Sequence, residues 1–260
     1  MRNGVQTTLI DLSDRLNNES SPYEWNSHDI KYFNHDQANT QAKSLFGDHY
    51  DVFPDGDGWA TEEVTLSTHS GTHIDAPYHY GPLSAGQPAK TIDHVPLQWC
   101  YGDGVLLDFR HKEIGEGISD DDIEKELERI HYKIKPFDIV LIHTGASKEF
   151  GRPNYALKQP GLFRSAVEYL VTQGVKLIGI DAWGLDRPFD RMAEEAKNGK
   201  GQFWEAHLFG REVEYCQIER LCNLDQIPHP FGFTIQAFPI LIAGASAGWS
   251  RVVAIIEEEG

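Results

Sequence analysis

Positive charge is scarce in this 260-residue chain: Lys and Arg number 23 against 40 Asp and Glu, for a formal net charge of −17 at pH 7. Nucleic-acid or anionic-membrane binding needs basic patches, and the few Lys and Arg here are scattered. Cysteine is scarcer still. Cys100, Cys216 and Cys222 are odd in number and form no CxxC pair, so they argue against a disulfide framework and suit a reducing compartment. Met1 to Leu16 holds no apolar run long enough for a signal peptide, and no later stretch approaches a membrane span; a soluble, cytoplasmic protein is expected. Ser70, Ser246 and Ser250 stand in no Gly-x-Ser-x-Gly elbow, and Gly102-Asp103-Gly104 and Gly145 read as turn glycines rather than a phosphate cradle. No repeat, low-complexity linker or composition break divides the chain, so residues 1–260 are expected to form a single domain.

What the chain does have is concentrated between Thr68 and His79. His69, His73, Asp75 and His79 fall within eleven residues, and three imidazoles with a carboxylate match the donors that borderline divalent metals prefer. Gly71, Thr72 and Pro77 make a helix a poor host. On a strand the four would share one side, yet His69 and His73 would then lie about 13 Å apart, too far to share an ion with bonds of about 2 Å. The chain must bend between them, and Gly71 permits it.

The elements around this cluster alternate. Gly104–Phe109, Ile139–His143 and Val175–Ile180 read as apolar strands, with a shorter one at Val64–Thr68. Ser119 caps a helix with Asp120, Asp121 and Asp122 in its first turn and Ile123, Leu127 and Ile130 buried. A second helix opens at Pro160, turns Leu162, Ala166 and Leu170 inward, and ends at Gly174. Phe238–Ile242 and Arg251–Ile256 look like final strands. Residues 17–58, with Pro22, Pro54 and Asp55-Gly56-Asp57-Gly58, form a long polar excursion containing one helix, Asp36–Phe46. Strands alternating with helices argue for an α/β domain with mixed or parallel pairing.

The run from His69 to His79 resembles the His-x-Gly-Thr-His-x-Asp-x-Pro-x-His signature of the cyclase family, which includes bacterial kynurenine formamidases and isatin hydrolases. The resemblance continues through Ile10-Asp11-Leu12-Ser13, Asp138–Gly145, Val175–Asp181, His207 and Glu219–Pro228. It implies a mixed β-sheet core of the swivelling β/β/α type. It also implies that His69, His73 and Asp75 hold one metal ion, that Asp75, His207 and Glu219 hold a second with Asp75 bridging, and that His79 is catalytic. On their own residues His207 reads equally as a partly buried histidine in a helix. Glu219, beside Ile218 and Leu221, needs either a cation or a basic neighbour such as Arg220.

The implied chemistry is hydrolysis of a carbon–nitrogen bond in an aryl formamide, amide or cyclic amide. A Zn²⁺ or Mn²⁺ cofactor, one or two ions per chain, would activate water, and His79 would shuttle the proton. Two readings stand beside it: a metal-dependent cyclase or dehydratase of a polyketide-like or other small carbonyl substrate, and a non-catalytic metal-binding module. Tyr23, Trp25, Trp59 and Trp183 lie in loop-like segments, where flat rings would suit an aryl or cyclic substrate. Asp181-Ala182-Trp183-Gly184-Leu185-Asp186 departs from the Asp-x-x-Ser-x-Asp of the kynurenine formamidases, and 187–205 is longer than in those enzymes, which separates this chain from formylkynurenine as an assigned substrate. The expected partners are a small-molecule substrate and further copies of the chain in a dimer or tetramer, with no nucleic acid and no membrane.

Overall fold

Ile139, Val140, Leu141 and Ile142 are all fully buried, and their alternation sorts them onto the two faces of one sheet. Val140 and Ile142, with Val105, Leu107, Ile178 and Ile180, join a core containing the helical side chains Ile123, Leu127, Ala166 and Leu170. Ile139 and Leu141, with Leu177 and Ile218, join a second core with Ile10, Leu12, Ile235 and Ala254. A strand buried on both faces reads as a continuous apolar run, which is why these segments were legible. A slip of one residue would exchange the two sets, so the register is strongly specified.

The computed structural model describes residues 5–47, 53 and 57–259. Contacts divide the chain into two compact units, Met1–Leu16 with Thr68–Gly260, and Asn17–Ser67. After β1 (Val5–Asp11), the smaller unit pairs β2 (Asp29–Phe33) antiparallel with β3 (Thr61–Thr65), and α1 (Ala38–Phe46) follows a 3₁₀ turn at His35–Gln37. The expected helix is therefore present. The strand expected at 64–68 instead spans Thr61–Thr65 and pairs within the excursion rather than leading into the signature. Of the turn expected at 54–58, residues 54–56 lie outside the described residues.

The larger unit continues with β4 (His73–Asp75), α2 (Pro77–Tyr80), the short pair β5 (Leu83–Ser84) and β6 (Gln87–Pro88), β7 (Tyr101–Asp108), β8 (Gly117–Ile118), α3 (Asp120–Arg129) and β9 (Ile139–His143). Then come β10 (Gly161–Leu162), α4 (Arg164–Thr172), β11 (Leu177–Ile180), α5 (Phe189–Lys197), α6 (Glu205–Phe209), β12 (Cys216–Glu219), β13 (Phe233–Gln236), β14 (Ala247–Trp249) and β15 (Val253–Glu259). Nine of these strands form one mixed sheet in the order β1-β15-β13-β7-β9-β11-β12-β4-β14. Its middle, β7-β9-β11-β12, is parallel, and antiparallel strands flank it on both sides. A bridge between Ser13 and Leu221 and the bond from Cys222 N–H to the Leu12 carbonyl tie the end of β1 to the end of β12. The sheet is thereby curled, as an α/β domain with a mixed β-sheet core.

Ser119 caps α3 as expected: its hydroxyl accepts from Asp122 N–H at 3.3 Å while Asp122 accepts from Ser119 N–H at 2.9 Å, a reciprocal capping box. Two expectations fail. Leu162 is not helical, because Gly161–Leu162 pairs in parallel with Gly117–Ile118 and α4 begins only after Phe163. Phe238–Ile242 is not a strand; the last strands are β13, β14 and β15, and the 238–242 segment binds β14 through the single bond from Ile240 N–H to the Trp249 carbonyl.

Candidate metal centre

Register brings the first two parts of the site together. Glu219 ends β12, and antiparallel pairing sets it directly opposite His73 in β4, while Asp75 lies opposite Gln217. His73 and Asp75 are two residues apart, so both point to the same face. Just before β4 the chain bends at Gly71, where φ is +63°, and a Cβ there would meet the Leu16 side chain at 3.0 Å. The bend that spacing required is present, and it brings His69 back to Asp75. His79 arrives by a different route: it lies in the helical turn α2, four residues after Asp75, rather than further along a strand. His207 comes from α6.

Around the buried Asp75 carboxylate the donors fall into two groups. Oδ1 lies 2.8 Å from His69 Nδ1 and 3.3 Å from His73 Nε2. Oδ2 lies 3.7 Å from His207 Nε2 and 3.9 Å from His79 Nε2. Glu219 closes the ring, with Oε2 at 3.6 Å from His73 Nε2 and Oε1 at 3.5 Å from His207 Nε2. Two tight sets could each hold an ion, His69-His73-Asp75 and Asp75-His79-His207, the donor atoms of each lying within 4.8 Å of one another. Geometry thus adds His79 to the groups within ligand reach, beside the five residues the sequence singled out.

These side chains fit a divalent cation by a test independent of spacing. Both oxygens of Asp75 and Nε2 of His73 are buried and have no partner outside the ring of imidazoles and carboxylates itself. Buried polar atoms left so are costly unless something charged completes them. The opposite nitrogens are, by contrast, held: His73 Nδ1 donates to the Gly71 carbonyl at 2.8 Å, His69 Nε2 meets Ser246 Oγ at 3.0 Å, and His207 Nδ1 is bound to Asp186. Such bonds fix a ring's tautomer and aim its other nitrogen. The all-nitrogen-and-oxygen donor set suits borderline and hard divalent ions.

The protein groups alone already split their proton affinities. Burial works against the Asp75 carboxylate, yet the neighbouring imidazoles, His79 and His73 first, hold its pKa well below the ordinary range. Burial, and then the Asp75 charge, pushes Glu219 up. Burial lowers His79 to about 4, with Asp75 opposing and the other imidazoles assisting. His207 rises to about 10 because Asp186 and Asp75 outweigh its desolvation. Two carboxylates pushed in opposite directions mark a crowded charged site.

The aromatic candidates divide. Trp183 belongs to the larger unit, in the loop after β11, where its ring packs on Phe189 at 5.6 Å and under the Arg220 guanidinium at 5.2 Å. Two residues on, Leu185 N–H donates to Glu219 Oε1 at 3.0 Å, so this loop touches the cluster. Tyr23, Trp25 and Trp59 belong to the smaller unit. Tyr23 and Trp25 are 42% and 60% exposed, and Trp59 donates to Gln41 at 2.9 Å. Three neighbours of the cluster were missed as functional residues: Asp186, Ser246 and Trp204. Only Asp186 had a signal, as the final acid of the Asp-x-x-Ser-x-Asp comparison. Trp204 adopts a left-handed φ of +61° and stacks on His207 with ring centroids 4.3 Å apart, a placement that tertiary contact alone decides.

A family model described as putative cyclase matches residues 10–187. A kynurenine formamidase of Bacillus thuringiensis is 31% identical over 144 residues, covering 51% of this chain and 59% of that protein. One from Erythrobacter litoralis is 28% identical over 190 residues, covering 73% and 74%. The chain spans about half the length of the first curated relatives it matches. Among solved structures, an isatin hydrolase bound to the product analogue thioisatinate superposes with a TM-score of 0.74 at 19% identity, covering 97% of this chain and 93% of that one, a likeness of fold.

Proposed function

Because the chain belongs to the putative cyclase family, we propose that it is a metal-dependent hydrolase that cleaves a carbon–nitrogen bond in an aryl formamide, amide or cyclic amide. One observation carries the reading: a fully buried Asp75 whose two oxygens face two different sets of imidazole nitrogens, with no partner outside that cluster. Kynurenine formamidases among its relatives support the bond type.

In this reading His69, His73 and Asp75 hold one ion, and Asp75, His207 and Glu219 hold a second, Zn²⁺ or Mn²⁺. A divalent cation there supplies Lewis acidity, polarising a carbonyl and bringing the pKa of a water down toward about 7. His79 is the proton carrier rather than a ligand. Of the four imidazoles its nearest nitrogen, Nε2, stands farthest from Asp75, at 3.9 Å, and its side chain is partly open to solvent, as is that of His69. From that position it takes one proton of the attacking water and passes it to the leaving nitrogen, so that water and amide become carboxylic acid and amine, the acid then releasing its proton as carboxylate. The Trp183 ring is proposed to pack against a flat substrate. For Tyr23, Trp25 and Trp59 that role stands on the sequence argument. The three free thiols accord with a reducing cytoplasm, and no helix among the described residues is long and apolar enough to cross a membrane. The exposed stack of Tyr101 on Phe238, with exposed Ile240 and Leu241 in the same segment, favours self-association as a dimer or tetramer.

The test is turnover of an aryl-formamide, amide and cyclic-amide panel before and after prolonged chelation, with product analysis. Loss of turnover on chelation, recovery with Zn²⁺ or Mn²⁺, and a carboxylate product are expected. Full activity of verified metal-free protein would overturn the reading, and a cyclised or dehydrated product without new carboxylate would replace it with the cyclase alternative.

A further inference from the structure

Among the groups around His207, one carboxylate has no task in the proposed chemistry. Asp186 is 3% exposed and lies in the loop between β11 and α5. Its Oδ1 accepts from Ala206 N–H at 2.8 Å, and its Oδ2 accepts from His207 N–H at 3.2 Å and is bound to His207 Nδ1. The backbone beneath it is fixed in turn. Gln159, 1% exposed, donates from Nε2 to the carbonyls of both Gly184 and Asp186 at 2.8 Å and accepts from Trp183 N–H at 2.7 Å. Gly161 passes so close that a Cβ there would lie 2.2 Å from the Asp186 carbonyl carbon, so neither strand nor loop can shift independently.

Resting on the metal reading above, we infer that Asp186 is the positioning residue that makes His207 a metal donor. A neutral imidazole carries one N–H, and the partner of one nitrogen decides which nitrogen keeps a lone pair. Asp186 is an acceptor only, so in the neutral ring it keeps the single proton on Nδ1 and leaves Nε2 as the donor atom toward Asp75 and Glu219. Trp204 fixes the remaining freedom by stacking on the ring face, 17° from parallel. The same carboxylate caps two backbone N–H groups of α6, so a purely structural role is the rival explanation and the experiment must separate the two.

Asp186→Asn does so. Its oxygen can still serve Ala206 N–H, but its amide nitrogen would face Nδ1, drive the ring proton to Nε2 and block the donor atom. Zinc binding to the purified full chain is measured by competition with a chelator, alone and in a His207→Ala background. The expected result is a 10–100-fold loss of affinity at the site that uses His207. In the His207→Ala background Asp186→Asn should cost nothing more. Equal losses in both backgrounds would assign Asp186 to capping alone and overturn the inference, as would unchanged affinity in the single variant. Asp186→Glu keeps a carboxylate acceptor and should recover part of the affinity; if the Asn variant does not fold, the Glu variant in both backgrounds carries the same comparison. A wild-type chain that takes up no zinc brings down the metal reading and this assignment together, whereas wild-type loading with an unaffected Asn variant removes this assignment only.

Discussion

Glu219→Gln tests the proposed second ion with little disturbance to the fold. Glu219 Oε1 accepts from Leu185 N–H at 3.0 Å, a bond an amide oxygen can keep, so the loop stays anchored. What is lost is the negative charge between His73 Nε2, at 3.6 Å, and His207 Nε2, at 3.5 Å. His69, His73 and Asp75 still supply the three protein donors one ion needs. Bound metal should therefore fall from about two ions per chain to about one. The thermal consequence follows by mass action. An ion present at 100 times its dissociation constant stabilises the fold by about 2.7 kcal/mol. At about 2–4 °C per kcal/mol for a chain of this size, one lost ion removes roughly 5–11 °C from the metal-induced rise in melting midpoint. Elemental analysis and thermal melts with and without added Zn²⁺ measure both quantities on one sample. A variant that still carries two ions per chain and keeps the full midpoint rise would refute the two-ion reading and the place of Glu219 in it.

His79→Ala should retain metal while kcat falls by roughly two to four orders of magnitude, the span expected for a lost general acid–base; normal turnover with metal bound would move the proton to another group. Away from the site, the Arg110 guanidinium hydrogen-bonds both oxygens of Asp108 and holds its pKa down to about 2, against an ordinary 3.8. A depressed acid stabilises the fold above its unfolded pKa and loses that contribution as pH falls through the folded one. Arg110→Gln should accordingly lower the melting midpoint at neutral pH and flatten its decline between about pH 4 and pH 2, so that variant and wild type converge at the acid end; an unaltered neutral midpoint and acid limb would show the pair contributes nothing.

The one-dimensional pattern determined what local chemistry dictates. The strands Ile139–His143 and Leu177–Ile180 were legible because burial on both sheet faces demands unbroken apolar runs, and α3 because Ser119 and Asp122 cap it within one turn. The metal-binding character of the His69–His79 run was equally legible, since its donors are neighbours in sequence and the bend at Gly71 lets His69 meet His73 and Asp75. Only the tertiary structure decided which distant groups complete the site. Glu219 reaches His73 through the pairing of β12 with β4, which places residues 146 apart opposite one another. His79 turned onto a helix once Pro77 opened one, against an expectation built on strand alternation. The failures at Leu162 and at 238–242 have the same cause: apolar periodicity reports that a segment is buried or covers something, while the partner that makes it strand, helix or loop is supplied elsewhere in the chain. Asp186 and Trp204 lie beyond any local rule, because orienting an imidazole requires an acceptor and a ring face in space and leaves no spacing in the sequence to read.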